Sequence, residues 1–222
     1  AVDKENGEQA WRVDRDEELT SYSTPVVVDG PQGPEMVVNM SAGVEAFHPE
    51  TGELLWYFEE ANRFAIPVAS YVDGVFYMSR GYRSGPYMAV RPGGRGDISE
   101  SHIVWRSGTG APYVSSVIQY DGLVYMANGG GIFTCVDAKT GERVWQERLG
   151  GVYTASPVAG DGKVYFFSES GETVVLRAGR TPEVLARNHI NEHLMASPAI
   201  SDGMLFLRSD QHLIAVAGSA NP

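Results

Sequence analysis

The apolar residues of this chain occur in short runs, and each run is bounded by turns that contain glycine. Examples are Leu123-Val124-Tyr125-Met126 and Val164-Tyr165-Phe166-Phe167. Runs of this length, rich in β-branched and aromatic residues, are typical of β-strands rather than helices. None approaches the roughly 20 apolar residues that cross a bilayer as a helix. The pattern therefore predicts an all-β protein with no helix longer than a turn or two.

An Asp-Gly pair stands just before or near each of five apolar runs, and a further strand precedes each pair. Glycine supplies the positive φ that a tight hairpin requires. The pairs are Asp29-Gly30, Asp73-Gly74, Asp121-Gly122, Asp161-Gly162 and Asp202-Gly203. The preceding strands open at Thr24-Pro25, Ile66-Pro67, Ser115-Ser116, Ser156-Pro157 and Ser197-Pro198. Proline is tolerated at the first position of a strand because no ladder donor is lost there. Each unit is therefore predicted to begin as a β-hairpin.

Six further segments recur at nearly constant spacing. They are Ala1-Val2-Asp3, Ala46-Phe47-His48, Ala89-Val90-Arg91, Cys135-Val136-Asp137, Val175-Leu176-Arg177 and Ala215-Val216-Ala217. Their first positions are 45, 43, 46, 40 and 40 residues apart. This is the length of one propeller blade, so we expect a β-propeller of four-stranded antiparallel blades. The predicted repeats are approximately 1–20 (partial), 21–62, 63–110, 111–151, 152–193 and 194–222. About five repeats are present, and the duplication of the first segment by the last favours part of a seven- or eight-bladed ring.

Four tryptophans keep phase with these segments. Trp11, Trp56 and Trp145 each follow a segment start by 10 positions, and Trp105 follows by 16 because Gly93 to His102 inserts extra residues. Leu185 takes the same offset in a later repeat. A tryptophan on the outermost strand can bury roughly 150–250 Å² against the turn of the neighbouring blade and donate its indole N–H there. We therefore interpret all four as structural docking residues.

The repeat resembles that of the PQQ-like, quinoprotein-type propeller family, Ala-x-Asp-x-x-Thr-Gly-x-x-x-Trp. Cys135 to Trp145 is the closest copy, Ala1 to Trp11 is nearly as good, and Ala46 to Trp56 departs by His48 at the Asp position. The family includes dehydrogenases that hold pyrroloquinoline quinone and calcium, and cofactor-free members such as the outer-membrane assembly lipoprotein BamB. Quinoprotein alcohol dehydrogenases typically carry a disulfide between adjacent cysteines over the quinone, and this chain has one cysteine. The resemblance implies the cofactor-free, BamB-like branch, with no cofactor, no metal site and no catalytic residue.

The net charge argues against one class of partner, and the single cysteine argues against two kinds of site. The formal net charge is −11 and the isoelectric point about 4.9. Such a chain repels phosphate backbones, which argues against a nucleic-acid partner. Cys135 stands alone, so neither an intrachain disulfide nor a thiolate metal site can form, and its apolar surroundings predict a small core residue.

Two short motifs resemble functional signatures but fall where the repeat requires a connection. His189-Ile190-Asn191-Glu192-His193 matches an inverted zinc-peptidase motif, which needs both histidines on one helical face. No helix is predicted there, so we expect no zinc site. Arg95-Gly96-Asp97 lies in the glycine-rich insertion, where we expect a turn.

The turns of a propeller alternate between two faces, and one face concentrates Tyr and Arg, the residue types that anchor interfaces. This face contains the connections into each inner strand and the mid-blade turns. The predicted binding rim is Tyr22, Phe64, Tyr113, Tyr153, Asn39, Arg80, Tyr82, Arg83, Asn128 and Arg208. The other interpretation is that these aromatics pack between blades.

The resulting functional hypothesis is a non-catalytic scaffold that binds a protein or peptide in the bacterial periplasm or secreted space, with a lipid anchor upstream of Ala1 as one variant. One alternative is a PQQ-dependent dehydrogenase whose cofactor site lies mostly in upstream blades. Another is a small-ligand sensor domain. The oligomeric state is left open.

Overall fold

The computed structural model of the chain describes residues 1–14, 20–83 and 85–218. All regular secondary structure in these residues is β, which confirms the predicted fold class. Five sheets follow one another along the chain, and we number them blades 1 to 5.

The strands of each blade are hydrogen-bonded in antiparallel chain order. Blade 1 contains β1 (Val26–Gly30), β2 (Gly33–Asn39), β3 (Gly43–Phe47) and β4 (Leu54–Glu59). Blade 2 contains β5 (Ser70–Val72), β6 (Val75–Ser79), β7 (Tyr87–Val90) and β9 (Ile103–Ser107), and β8 (Gly96–Asp97) joins the sheet of blade 1. Blade 3 contains β10 (Ile118–Tyr120), β11 (Leu123–Ala127), β12 (Ile132–Asp137) and β13 (Arg143–Arg148). Blade 4 contains β14 (Val158–Gly160), β15 (Lys163–Phe167), β16 (Glu172–Arg177) and β17 (Val184–His189). Blade 5 contains β18 (Ala199–Ser201), β19 (Met204–Arg208) and β20 (Leu213–Ala217).

The Asp-Gly hairpins form in four blades and not in blade 1. In blades 2 to 5 both turn residues have positive φ, with Asp73, Asp121, Asp161 and Asp202 between 49° and 51°. In blade 1, Asp29 and Gly30 instead belong to β1, and Pro31-Gln32 forms the turn between the paired residues Gly30 and Gly33. Proline presets the backbone for the first turn position, and Gly33 takes the positive φ of 118°. The prediction of an Asp29-Gly30 turn was therefore wrong.

In blades 1 to 3 the small residue that starts the repeat segment lies directly opposite the tryptophan of the next strand. Ala46 pairs with Trp56, Ala89 with Trp105 and Cys135 with Trp145. A β-bulge follows the small residue in each of these pairs. The small side chain leaves room for the indole within the sheet, and the bulge increases the local twist of the outer strands.

Three of the four tryptophans dock as predicted on the turn of the next blade. The indole N–H of Trp11 donates to the Pro49 carbonyl (2.8 Å), that of Trp105 to Ala138 (2.8 Å) and that of Trp145 to Gly179 (3.1 Å). A β-carbon on Gly141 would lie 2.6 Å from the Trp105 ring, and one on Gly52 would lie 2.5 Å from the Trp11 ring. The turn glycine therefore provides the flat surface on which the indole lies.

Trp56 does not dock on a turn of the next blade. In blade 2, the insertion from Gly93 to His102 stands where the docking turn would be. The indole N–H of Trp56 donates to the Glu35 carboxylate of its own blade at 2.7 Å. Strand β8 of the insertion pairs in parallel with β4 beside it, and Ile98 donates its N–H to the Tyr57 carbonyl. The Ile98 side chain is buried in the same apolar cluster as Trp56. The Arg95-Gly96-Asp97 segment is thus partly a short strand rather than only a turn.

Apolar clusters lie between consecutive blades, and serines join the blades near the inner strands. Ser116 Oγ accepts the N–H of Val68, Ser156 Oγ accepts that of Ser116, and Ser197 Oγ accepts that of Ser156, each at 2.9 Å. We call these three bonds the serine ladder. It links blades 2 to 5 on the face that carries the connections into the inner strands.

Candidate functional site

Four of the predicted rim residues form a continuous line of aromatic rings, which we call the aromatic row. The ring centroids are 6.4 Å apart between Tyr22 and Phe64, 5.2 Å between Phe64 and Tyr82, and 5.5 Å between Tyr82 and Tyr113. Tyr22 is 61% exposed and Tyr113 is 39% exposed, so the two ends of the row are open to solvent. The row crosses the connections into blades 1, 2 and 3.

Backbone contacts between neighbouring connections hold the row in place. Ser21 forms a parallel bridge with Ala65, and the N–H of Tyr22 donates to the Ala65 carbonyl at 2.9 Å. The Asn62 side chain accepts the N–H of Phe64 and donates to the Tyr82 carbonyl. Gly81, with a φ of 81°, lies so close to the Tyr113 carbonyl that a β-carbon would stand 2.8 Å from it. Three connections and one mid-blade loop are thereby packed into a single surface.

Two arginines lie over the central rings of the row. The guanidinium carbon of Arg63 is 5.3 Å from the Phe64 ring centroid, and that of Arg83 is 5.2 Å from the Tyr82 centroid. Both distances are in the range of cation–π attraction. Both arginines are exposed, and Arg83 has a φ of 56°, which is uncommon for a residue other than glycine.

Arg80 and Asn39 lie beneath this surface as buried anchors rather than on the rim itself. The Arg80 guanidinium is 0% exposed and donates to the carbonyls of Glu60, Gly43 and Met40 and to Oδ1 of Asn39. The Asn39 amide in turn donates to the carbonyls of Pro67 (2.9 Å) and Ser79 (3.0 Å). Burial lowers the pKa of Arg80 to about 10, with the nearby Glu60 carboxylate opposing the shift, so the group keeps its charge at neutral pH.

A groove of about 890 Å³ adjoins the row where Asn62 and Arg63 line both features. Ser41, Ala42, Glu59, Glu60, Ala61 and Arg106 complete its lining. Glu60 is paired there with Arg106 at 2.6 Å. The groove therefore lies beside the row, and Asn62 and Arg63 contact both of them.

The remaining rim residues lie elsewhere. Tyr153 is only 3% exposed and packs between blades 3 and 4 against Phe133 and Phe166, as the alternative interpretation expected. Asn128 caps its own turn, accepting the N–H groups of Gly130 and Ile132. Arg208 is exposed at the end of β19 and donates to the His212 carbonyl.

The zinc-like motif has a different structural role. His189 ends β17, Glu192 accepts from Ser209 and pairs with His212 (2.8 Å), and His193 faces Glu169 at 3.8 Å. Within residues 1–14, 20–83 and 85–218, no three His, Cys, Asp or Glu side chains are grouped to hold a metal ion.

Exposed aromatic rings, stacked guanidinium groups and a polar groove can bind by apolar contact, hydrogen bonding and charge. A family model described as outer membrane protein assembly factor BamB matches residues 40–180, which is more than half of the chain. The chain belongs to this family. The sequence resemblance to PQQ-like repeats is thereby confirmed.

Solved structures in this fold include BamB from Moraxella catarrhalis, with a TM-score of 0.65 and 18% identity over 95% of this chain and 62% of that chain. A second is BBS1N in complex with ARL6DN, with a TM-score of 0.63 and 13% identity over 89% of this chain and 62% of that chain. The present chain therefore spans 62% of the length of each. A comparison with curated proteins gives no match. No helix that could span a membrane occurs in the part of the chain that the structure describes.

Sequence reasoning missed the groove, the role of Arg63 and the burial of Arg80. One signal was visible: seven residues separate β6 from β7, against four between β11 and β12. The longer loop carries Tyr82 into line with Phe64 and Tyr113.

Proposed function

We propose that this chain is a protein-binding scaffold and that it captures its partner on the aromatic row and the adjoining groove. The observation that carries the proposal is the continuity of four aromatic rings across three connections, with exposed ends and two arginines over the centre. Tyrosine and arginine are enriched among the residues that dominate binding energy at interfaces. Exposed apolar surface rimmed by polar residues is also typical of interaction sites.

We further propose that the scaffold works in the bacterial envelope, in the periplasm or secreted space, without quinone or metal. Membership of the family described as an outer membrane protein assembly factor supports this location and a role in assembly rather than catalysis. A partner protein of the envelope would then be the ligand of the row.

Photocrosslinking in the native host cells tests the proposal. A benzoylphenylalanine at position 22 or 113 should form a defined adduct with a partner protein. The same probe at position 57, a half-buried tyrosine on β4 outside the row, serves as the matched control. Adducts that form equally at position 57, or at none of the positions, would contradict the proposed site.

The double variant Tyr22→Ala/Tyr113→Ala should then bind the crosslinked partner about tenfold or more weakly, because interface aromatics commonly contribute more than 1 kcal/mol each. Both side chains are exposed, so the thermal unfolding midpoint should change little. Calorimetric titration with the purified partner measures the first effect, and circular dichroism the second. Unchanged affinity in a folded double variant would refute the role of the row.

A further inference from the structure

We propose that the aromatic row selects an acidic partner segment, in which carboxylates alternate with aromatic or aliphatic side chains. This inference rests on the proposed function and adds the chemistry of the partner. The overall charge of the protein alone would predict the opposite preference, since a chain with a net charge of −11 repels acidic ligands at long range.

The charged side chains that lie over the rings of the row are positive, whereas the whole chain is negative. Arg63 and Arg83 lie over the central rings of the row, and no carboxylate among the described residues is hydrogen-bonded or ion-paired to either. The neighbouring Glu60 is already paired with Arg106 at 2.6 Å. Two exposed guanidinium groups therefore remain available for a ligand, and a carboxylate is the group that guanidinium binds in a planar, bidentate manner.

The buried Arg80 strengthens this positive potential from below. Its hydrogen bonds go to neutral carbonyl and amide oxygens, so no bonded carboxylate neutralises it. A charge held in a region of low dielectric acts over a longer distance than one in water. The row is thus an apolar surface with two guanidinium groups over it and a third beneath it, and Glu60, the carboxylate that acts on the buried group, is itself paired with Arg106.

The spacing of the rings fits an extended peptide. Neighbouring centroids are 5.2–6.4 Å apart, and two residues of a β-strand advance about 6.6 Å. Alternate apolar side chains of an extended segment can therefore contact successive rings. The carboxylates between them can reach the two arginines that lie over the central rings.

Fluorescence anisotropy with three short labelled peptides tests the inference on the full chain. The first peptide alternates Glu with Phe and Leu, the second replaces Glu with Lys, and the third keeps Glu but replaces Phe and Leu with Ser. We expect the first to bind at least about tenfold more tightly than either of the others. Raising the salt from about 0.05 M to about 0.5 M should reduce this preference by shortening the screening length.

The charge-reversed variant Arg63→Glu/Arg83→Glu should invert the preference and favour the lysine peptide. Arg208→Glu is the matched control, because Arg208 is an exposed arginine on the same face and lies over no aromatic ring of the described residues. It should leave the ratio of affinities within about twofold of the parent. Arg83→Gly is a milder variant that removes one charge at a backbone conformation that glycine adopts freely.

The outcomes separate this inference from the proposed function. If the lysine peptide binds as tightly as the first peptide or more tightly, and Tyr22→Ala/Tyr113→Ala abolishes that binding, the row is a binding site but its preference for acidic segments is refuted. If Arg208→Glu shifts the ratio as much as the double reversal does, the effect belongs to the overall field of the protein and the inference fails. If no peptide binds and the crosslinks at positions 22 and 113 are also absent, both fail.

Discussion

Tyr153 shows how a single hydroxyl can oppose the packing of its own ring. The ring lies edge-on to Phe133, with centroids 5.0 Å apart, but the hydroxyl is buried without a hydrogen-bond partner among the described residues. Burial raises the pKa of this phenol to about 12. An unpaired buried hydroxyl costs about 1–3 kcal/mol. We therefore expect Tyr153→Phe to raise the free energy of unfolding by about 1 kcal/mol in urea denaturation.

Tyr125 provides the matched control for that variant. It is also fully buried, but its hydroxyl accepts the N–H of Gly179 at 2.8 Å. Tyr125→Phe leaves this N–H unpaired and should lower the free energy of unfolding by about 1 kcal/mol. The two substitutions remove the same atom, so shifts of the same sign would contradict the role assigned to the Tyr153 hydroxyl.

Cys135 is predicted to be chemically inert in the folded protein. Burial raises the pKa of its thiol to about 12, with the Arg180 charge and the Tyr125 hydroxyl opposing the shift. The thiolate is the reactive form, so dithionitrobenzoate at pH 8 should label the native chain very slowly and the urea-unfolded chain fully. Rapid native labelling would contradict this environment.

The same shift has a defined sign for stability. The folded state keeps its proton up to about pH 12, whereas the unfolded thiol loses its proton near pH 9. The contribution of the buried Cys135 thiol to the free energy of unfolding is therefore complete below pH 9, and it decreases as the pH rises from about 9 towards 12. Cys135→Ala, which introduces the residue found at this position in four other repeats, should show a smaller decrease over that interval.

At the scale of strands, the spacing of small residues, tryptophans and Asp-Gly pairs was enough to predict the blades. Trp11, Trp105 and Trp145 lie where their spacing placed them, because each contact involves a turn of fixed length. Tyr113 and Tyr153 occupy similar positions before an inner strand, yet one joins the row and the other the core. The difference depends on which rings each one meets, Tyr82 for Tyr113 and Phe133 with Phe166 for Tyr153, and local sequence does not contain that contact.

The β8 strand is the clearest element that sequence did not predict. In the sequence, the insertion that contains β8 was visible only because Trp105 follows its segment start by 16 positions instead of 10. In the structure, β8 takes the place of the docking turn that Trp56 lacks. We expect Ile98→Ala to lower the free energy of unfolding by about 2–4 kcal/mol, because its side chain is 1% exposed and fills the space beside the indole. Urea denaturation followed by tryptophan fluorescence measures this.

Ile200→Ala is the control for the Ile98→Ala variant. Ile200 lies on β18 and is 45% exposed, so the same substitution there should cost less than about 1 kcal/mol. Equal effects at both positions would show that β8 lies against blade 1 without contributing to its stability.

At the scale of the whole molecule, each blade contacts mainly its neighbours, and such arrays owe their cooperativity to the contacts between repeats. The serine ladder is the polar part of those contacts. The leading serines were visible in the sequence, but their partners lie between 40 and 48 residues away, and nothing local identified them. The apolar clusters bury side chains between the blades, whereas the ladder joins the segments that lead into consecutive inner strands.

Ser116→Ala/Ser156→Ala should therefore weaken the coupling between blades more than the stability of any one blade. The substitutions remove the acceptors of the Val68 and Ser116 N–H groups, which lie in the interior beside the inner strands. Each lost bond should cost about 1 kcal/mol. If the ladder couples the blades, amide hydrogen exchange will separate blades 1 and 2 from blades 4 and 5, and the denaturant slope will fall below that of the parent. Ser99→Ala, on an exposed turn, should change neither measurement. A double variant that unfolds with the parent slope and uniform exchange would show that the apolar clusters alone make the blades unfold together.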